Sequence, residues 1–140
     1  MITVLILEND PSNLHVFSSV LSSHGYEVAE AANEEEAIGR CQEISRLDLL
    51  ICDIGIGASS GTEVALRVRS IHRDIAVLFV SGTPMYAWDS RDTNNFLKLP
   101  LDSVDSLEKP FRPVALVTKV KELLAKRAER PRGRTAGDMR

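Results

Sequence analysis

The chain has 140 residues, 44% hydrophobic and only 5% aromatic, with a formal net charge of −3. That size suits one domain with an aliphatic core, and the mild negative charge argues against a nucleic-acid binder built on a basic face. No apolar run is long enough for a secretory leader or a membrane span, so a soluble, cytoplasmic protein is expected.

The elements follow in order. "TVLIL" (3–7) reads as a buried strand. Asp10 then offers a cap, Pro11 suits a first helical turn, and Gly25 offers a stop. Between them Leu14, Phe17, Val20 and Leu21 share one face. "YEVAEA" (26–31) alternates like a strand, and Asn33 with Glu36 starts a helix running to about Ile44. "LDLLIC" (47–52) is a third strand, followed by a glycine-rich loop and a helix over 62–71. "IAVLFVSG" (75–82) is a fourth strand. Regularity then lapses from Thr83 to about Asp105. "VDSL" (104–107) is a weak fifth strand, and a helix over 111–127 places Val114, Val117, Val120 and Leu124 on its inner side. The tail, 128–140, is basic, rich in Arg, Pro and Gly, and reads as disordered and solvated, with electrostatic docking as the lesser reading. Cys41 and Cys52 lack metal or redox spacing and are read as reduced packing residues.

Strands alternating with helices argue an α/β domain, its parallel sheet covered on both faces. Right-handed crossovers gather the loops after the strands at one edge, where ligands bind in open sheets. The polar residues at those strand ends form a set. Strand one ends at Glu8, Asn9 and Asp10, and strand three at Asp53. Strand four ends at Ser81, and strand five at Glu108 and Lys109. This suits a phosphoryl group carried on a carboxylate. Oxygens from Glu8, Asn9 and Asp53 would hold Mg²⁺, and Asp53 would attack phosphorus. Ser81 and Lys109 would stabilise phosphoryl oxygens, and glycine at 55 and 57 would let the backbone come close. A lone acid after a strand is more often a cap; the joint placement changes that reading. His15, His24 and His72 share no site-like spacing and read as surface or loop residues.

The motifs "VLILEND", "LDLLICDIGIGASSG", "VLFVSGTP" and "LEKPF", in that order, resemble the receiver domains of two-component response regulators over roughly residues 2–127. The resemblance implies a flavodoxin-like, doubly wound sheet of order 2-1-3-4-5. It implies phosphotransfer to Asp53 from a sensor histidine kinase, with Mg²⁺ held by Asn9, Asp53 and the Gly55 carbonyl and Glu8 acting through water. It also implies a cis Lys109–Pro110 peptide.

The chain departs from that family in places. Asn9 stands where a second carboxylate is usual, so weaker metal binding is expected. Gly57 replaces a proline, which should loosen the loop. The segment after strand four is expanded. Ser106 stands where the family places the aromatic ring of its switch. Tyr86, Trp88 and Phe96 are candidates for a substitute ring, beside partner-facing or local packing roles.

A stand-alone receiver is therefore expected, at most catalysing its own phosphotransfer and dephosphorylation. Its output would be a changed surface for a downstream protein partner, with the face of helix four, strand five and helix five as the docking or homodimer surface. Onward relay to a histidine phosphotransfer protein is a further possibility; no nucleic acid or membrane is implied. The competing reading is a non-phosphorylated adaptor. A flavodoxin-type cofactor binder is disfavoured, because no hydroxyl-rich phosphate loop follows strand one.

Overall fold

Five short apolar runs pair side by side into one parallel sheet. In the computed structural model, which describes residues 1–56 and 59–129, they are β1 (Thr3–Leu7), β2 (Glu27–Ala31), β3 (Leu49–Asp53), β4 (Ala76–Ser81) and β5 (Val104–Glu108). The order is β2-β1-β3-β4-β5, as expected. Between them run α1 (Pro11–Ser23), α2 (Glu34–Glu43), α3 (Gly61–Ile71), α4 (Ser90–Leu97) and α5 (Pro113–Glu129). Among the described residues no helix is long and apolar enough to cross a membrane.

Alternation along the strands divides the core in two. Leu5, Leu7, Leu50, Cys52, Val77 and Phe79 face α2 and α3 and bury Ala37, Cys41, Val64, Ala65 and Val68. Val4, Ile6, Leu49, Ile51, Leu78 and Val80 face α1 and α5 and bury Phe17, Leu21, Leu116, Val117, Val120 and Leu123. Each fully buried Leu or Ile contributes roughly 1.5–3 kcal/mol of transfer free energy, so the central strands are the most firmly held. Both cysteines are free and buried.

Local signals fix the helix ends. The Asp10 side chain accepts the Ser12 N–H at 3.0 Å. Asn33 accepts the Glu36 N–H, while the Glu36 carboxylate reaches back to the Ala32 N–H at 2.8 Å. Gly25 follows α1 with φ of 88°, a left-handed conformation suited to glycine.

Two expectations are corrected. Val114 is exposed at 66%, on the flank of α5, whereas Val117, Val120 and Leu124 face the core as expected and Leu116 and Leu123 join them there. The segment after β4 is not irregular. A 3-10 turn (Met85–Ala87), α4 and a second 3-10 turn (Leu101–Ser103) fill it. His72, read as a surface or loop residue, is in the loop after α3. It is half-buried there, its Nε2 2.8 Å from the Cys41 carbonyl and its Nδ1 accepting the Leu47 N–H. Gly57, and the basic tail from residue 130 onward, lie outside the described residues; α5 itself runs to Glu129.

The opposite rim of the sheet carries its own charge pair. Asp48 is buried just before β3 and accepts the Thr3 N–H at 2.9 Å. Arg127, near the end of α5, donates to both its carboxylate (2.7 Å) and its carbonyl (2.6 Å). Arg46 adds a third contact at 3.3 Å. Burial raises the Asp48 carboxyl, but these hydrogen bonds and charges outweigh it and leave it below its ordinary value.

Candidate functional site

Parallel pairing sets the strand tips level. Asp53 is in register with Val80, and Ser81 with Glu108. β1 ends beside β3 at the Leu7–Cys52 pair, so Glu8 emerges next to Asp53. The Glu8 N–H is held by the Ala31 carbonyl at 3.0 Å, and the Lys109 N–H by the Ser81 carbonyl at 2.7 Å. Backbone bonds at neighbouring strand ends thus fix where these side chains start.

The side chains meet. Lys109 Nζ donates to Glu8 Oε1 at 2.7 Å and to Asp53 Oδ2 at 2.8 Å. Glu8 is buried, and its second oxygen accepts the Asp10 N–H at 3.1 Å. The second oxygen of Asp53 accepts the Gly55 N–H at 3.1 Å. Burial lowers the Lys109 pKa, but hydrogen bonds to Asp53 and Glu8, with their charges, win and leave it raised. The ammonium is therefore a permanent cation between two acids. Beneath it, burial and then the nearby charges of Asp53 and Glu8 push the Cys52 thiol well up, so it stays protonated.

The remaining expected residues lie at the same edge with less direct contact. Ser81 is buried, and its Oγ lies 3.1 Å from Thr83 Oγ1 while accepting the Thr83 N–H. Asn9 is exposed directly after Glu8. Asp10 is engaged as the α1 cap. Among the described residues no three His, Cys, Asp or Glu side chains gather as a metal cluster. What the edge offers is two carboxylates, an adjacent amide and loop carbonyls. An oxygen-only set with few charged ligands fits a hard cation such as Mg²⁺, which keeps several of its waters.

A Cβ built at Gly55 meets no protein atom within 4 Å. The demanding position is Gly61. A Cβ there would overlap the Asp53 carbonyl oxygen and come within 2.9 Å of Cys52 Sγ. Sequence reasoning also missed a buried polar cluster, Ser60, Thr62, Asp92 and Asn95, joining the start of α3 to α4. Its only signal was polar residues at helical spacing in a segment read as irregular. Of the candidate rings, Tyr86 is 92% exposed, whereas Trp88 and Phe96 pack on Phe79. Ser106, in register with Phe79 on β5, is half-buried.

Known proteins share this fold. The response regulator receiver domain family matches residues 4–121. The sensor kinase CckA of Brucella abortus (strain 2308) is 35% identical over 126 residues, which span 89% of this chain and 13% of that protein. Across the curated relatives it matches, the chain spans at most about half their length. A CheY-like receiver domain protein from Methanospirillum hungatei JF-1 superposes with a TM-score of 0.78 at 24% identity, covering 92% of this chain and 98% of that one. The Thermotoga maritima response regulator TrrA, solved in complex with Mg²⁺-BeF, superposes with a TM-score of 0.70 at 27% identity, covering 87% and 99%. Family match, strand order and similar solved folds agree, and the chain belongs to the response regulator receiver domain family.

Proposed function

We propose that Asp53 is the phosphoacceptor of this receiver domain, taking a phosphoryl group from a histidine kinase or a histidine phosphotransfer protein. One observation carries the reading: the Lys109 ammonium lies within 2.8 Å of both the Asp53 and the Glu8 carboxylates. A lysine so placed neutralises part of the charge that an incoming phosphate must approach.

In the reaction an Asp53 carboxylate oxygen forms a bond to phosphorus. The bond from phosphorus to the donor imidazole nitrogen breaks, and its electron pair returns to the ring. Lys109 then turns from the carboxylate toward a phosphoryl oxygen, and the Ser81 hydroxyl donates to another. Asp53, Asn9 and the Gly55 carbonyl, with Glu8 nearby, would hold Mg²⁺, which when bound would supply positive charge to the phosphoryl oxygens. Glu8 keeps Lys109 charged and aimed. The phosphorylated domain presents a changed surface to a protein partner.

Asn9 and Ser106 favour a second reading, a non-phosphorylated adaptor, because neither supplies the charge or the ring an aspartate switch commonly uses. Incubation with acetyl phosphate across a Mg²⁺ series separates the two. The phosphoacceptor gains the mass of one phosphoryl group, and Asp53→Asn does not. No gain at any Mg²⁺ concentration supports the adaptor.

A further inference from the structure

α4 docks differently from the other helices. The others bury apolar side chains against the sheet, whereas the fully buried residues of α4 are Asp92 and Asn95, with Phe96 half-buried beside them. Asp92 Oδ1 accepts the hydroxyl protons of both Ser60 and Thr62, the latter at 2.6 Å. Asn95 Nδ2 donates to Thr62 Oγ1 at 3.1 Å. Thr62 is fully buried. Hydrogen bonds to a buried carboxylate are directional and costly to leave unmade. So the seat of α4 depends on where Ser60 and Thr62 stand.

Those two residues in turn follow Asp53. The Gly55 N–H donates to Asp53 Oδ1. Gly55 bridges Ser60 across the loop. The Gly61 N–H donates to the Ile54 carbonyl at 2.8 Å, and Gly61 itself lies against the Asp53 peptide. Ser59 donates to Glu34 at 2.6 Å, fixing the outer side of the loop to α2. With that side tethered, a displacement of Gly55 is passed to Ser60 and hence to Asp92.

We infer that the Ser60–Thr62–Asp92 cluster couples the state of Asp53 to the position of α4. This rests on the phosphoacceptor reading. Phosphorylation converts an Asp53 oxygen to an acyl phosphate and changes the acceptor of the Gly55 N–H. The loop resettles, and Asp92 carries the change into α4, whose Leu97 is 64% exposed for a partner to read. Ser60, Thr62 and Asp92 are positioning residues, and none of them touches the phosphoryl group.

The test is amide hydrogen exchange of α4 in the full chain, with and without acetyl phosphate and Mg²⁺, alongside intact mass. The unsubstituted chain gains one phosphoryl mass and changes its exchange rates over residues 90–97. Thr62→Val keeps the shape of the side chain and removes its hydroxyl. It takes the phosphoryl group equally well, but its α4 response falls by about fivefold or more, the lower end of an ordinary coupling factor. Asp92→Ala, which removes the acceptor shared by Ser60 and Thr62, behaves the same way and decides the matter if Thr62→Val does not fold. A full α4 response in either folded, phosphorylated variant overturns the coupling alone and moves it to another route, such as Thr83 and Trp88. Absence of the mass gain in the unsubstituted chain overturns the phosphoacceptor reading, and the coupling with it.

Discussion

Gly61 lies directly against the peptide of Asp53, leaving no room for a Cβ between α3 and the Asp53 carbonyl. The obstacle is backbone, which cannot rotate away as a side-chain tip can. Gly61→Ala is therefore expected to destabilise the domain by about 2–3 kcal/mol through overpacking. Gly55→Ala, in open space, stays within about 0.5 kcal/mol. Urea unfolding of both variants checks the contrast.

Lys109→Met leaves the buried Glu8 carboxylate without its cation, which costs about 2–3 kcal/mol at neutral pH, and cuts acetyl phosphate labelling by about a hundredfold. The sign of the pH dependence follows from the raised Lys109 pKa. Its contribution is fully present below the ordinary lysine value of 10.5 and is lost as pH rises through the higher folded value. The stability gap between parent and variant should thus narrow as pH rises into the alkaline range. A pH series of thermal melts measures it.

At the far rim, Arg127→Met breaks the buried pair with Asp48, at a cost of about 3 kcal/mol, the low end for such pairs because Arg46 still faces the carboxylate. Here the sign is opposite. Asp48 is lowered, so its contribution is present above its ordinary value of 3.8 and is lost as pH falls through the lower folded value. Parent and variant should converge in strong acid. Phosphoryl labelling at neutral pH should be untouched, since Arg127 contacts the other end of β3.

Asn9→Asp adds a charged oxygen where an amide now stands. Extra ligand charge tightens hard-cation binding, and the Mg²⁺ concentration giving half-maximal acetyl phosphate labelling should fall roughly tenfold. Equal midpoints in the two proteins place the cation away from residue 9.

The sheet was readable because β1, β3 and β4 are continuous apolar runs bounded by turn formers. The meeting of Glu8, Asp53 and Lys109 was readable because parallel topology brings all strand tips to one edge. α4 was hidden for a definite reason: its buried positions, Asp92 and Asn95, are polar, while Leu97 is exposed, so hydrophobic periodicity points away from the face that docks. The α5 face was readable at Val117, Val120 and Leu124 and misread at Val114, because valines and leucines occupy both 114–117–120–124 and 116–117–120–123. Only the position of the sheet selects between them.

Trp88 is the single tryptophan of the chain. Its ring meets Phe79 of β4 and Phe96 of α4 edge-on, and its Nε1 donates to the carbonyl of Thr83 at 3.3 Å. The molecule therefore carries a built-in optical gauge. A lone indole wedged between a fixed strand and a helix, hydrogen-bonded to the turn after Ser81, reports any sliding of that helix as a change in its emission, with no dye attached.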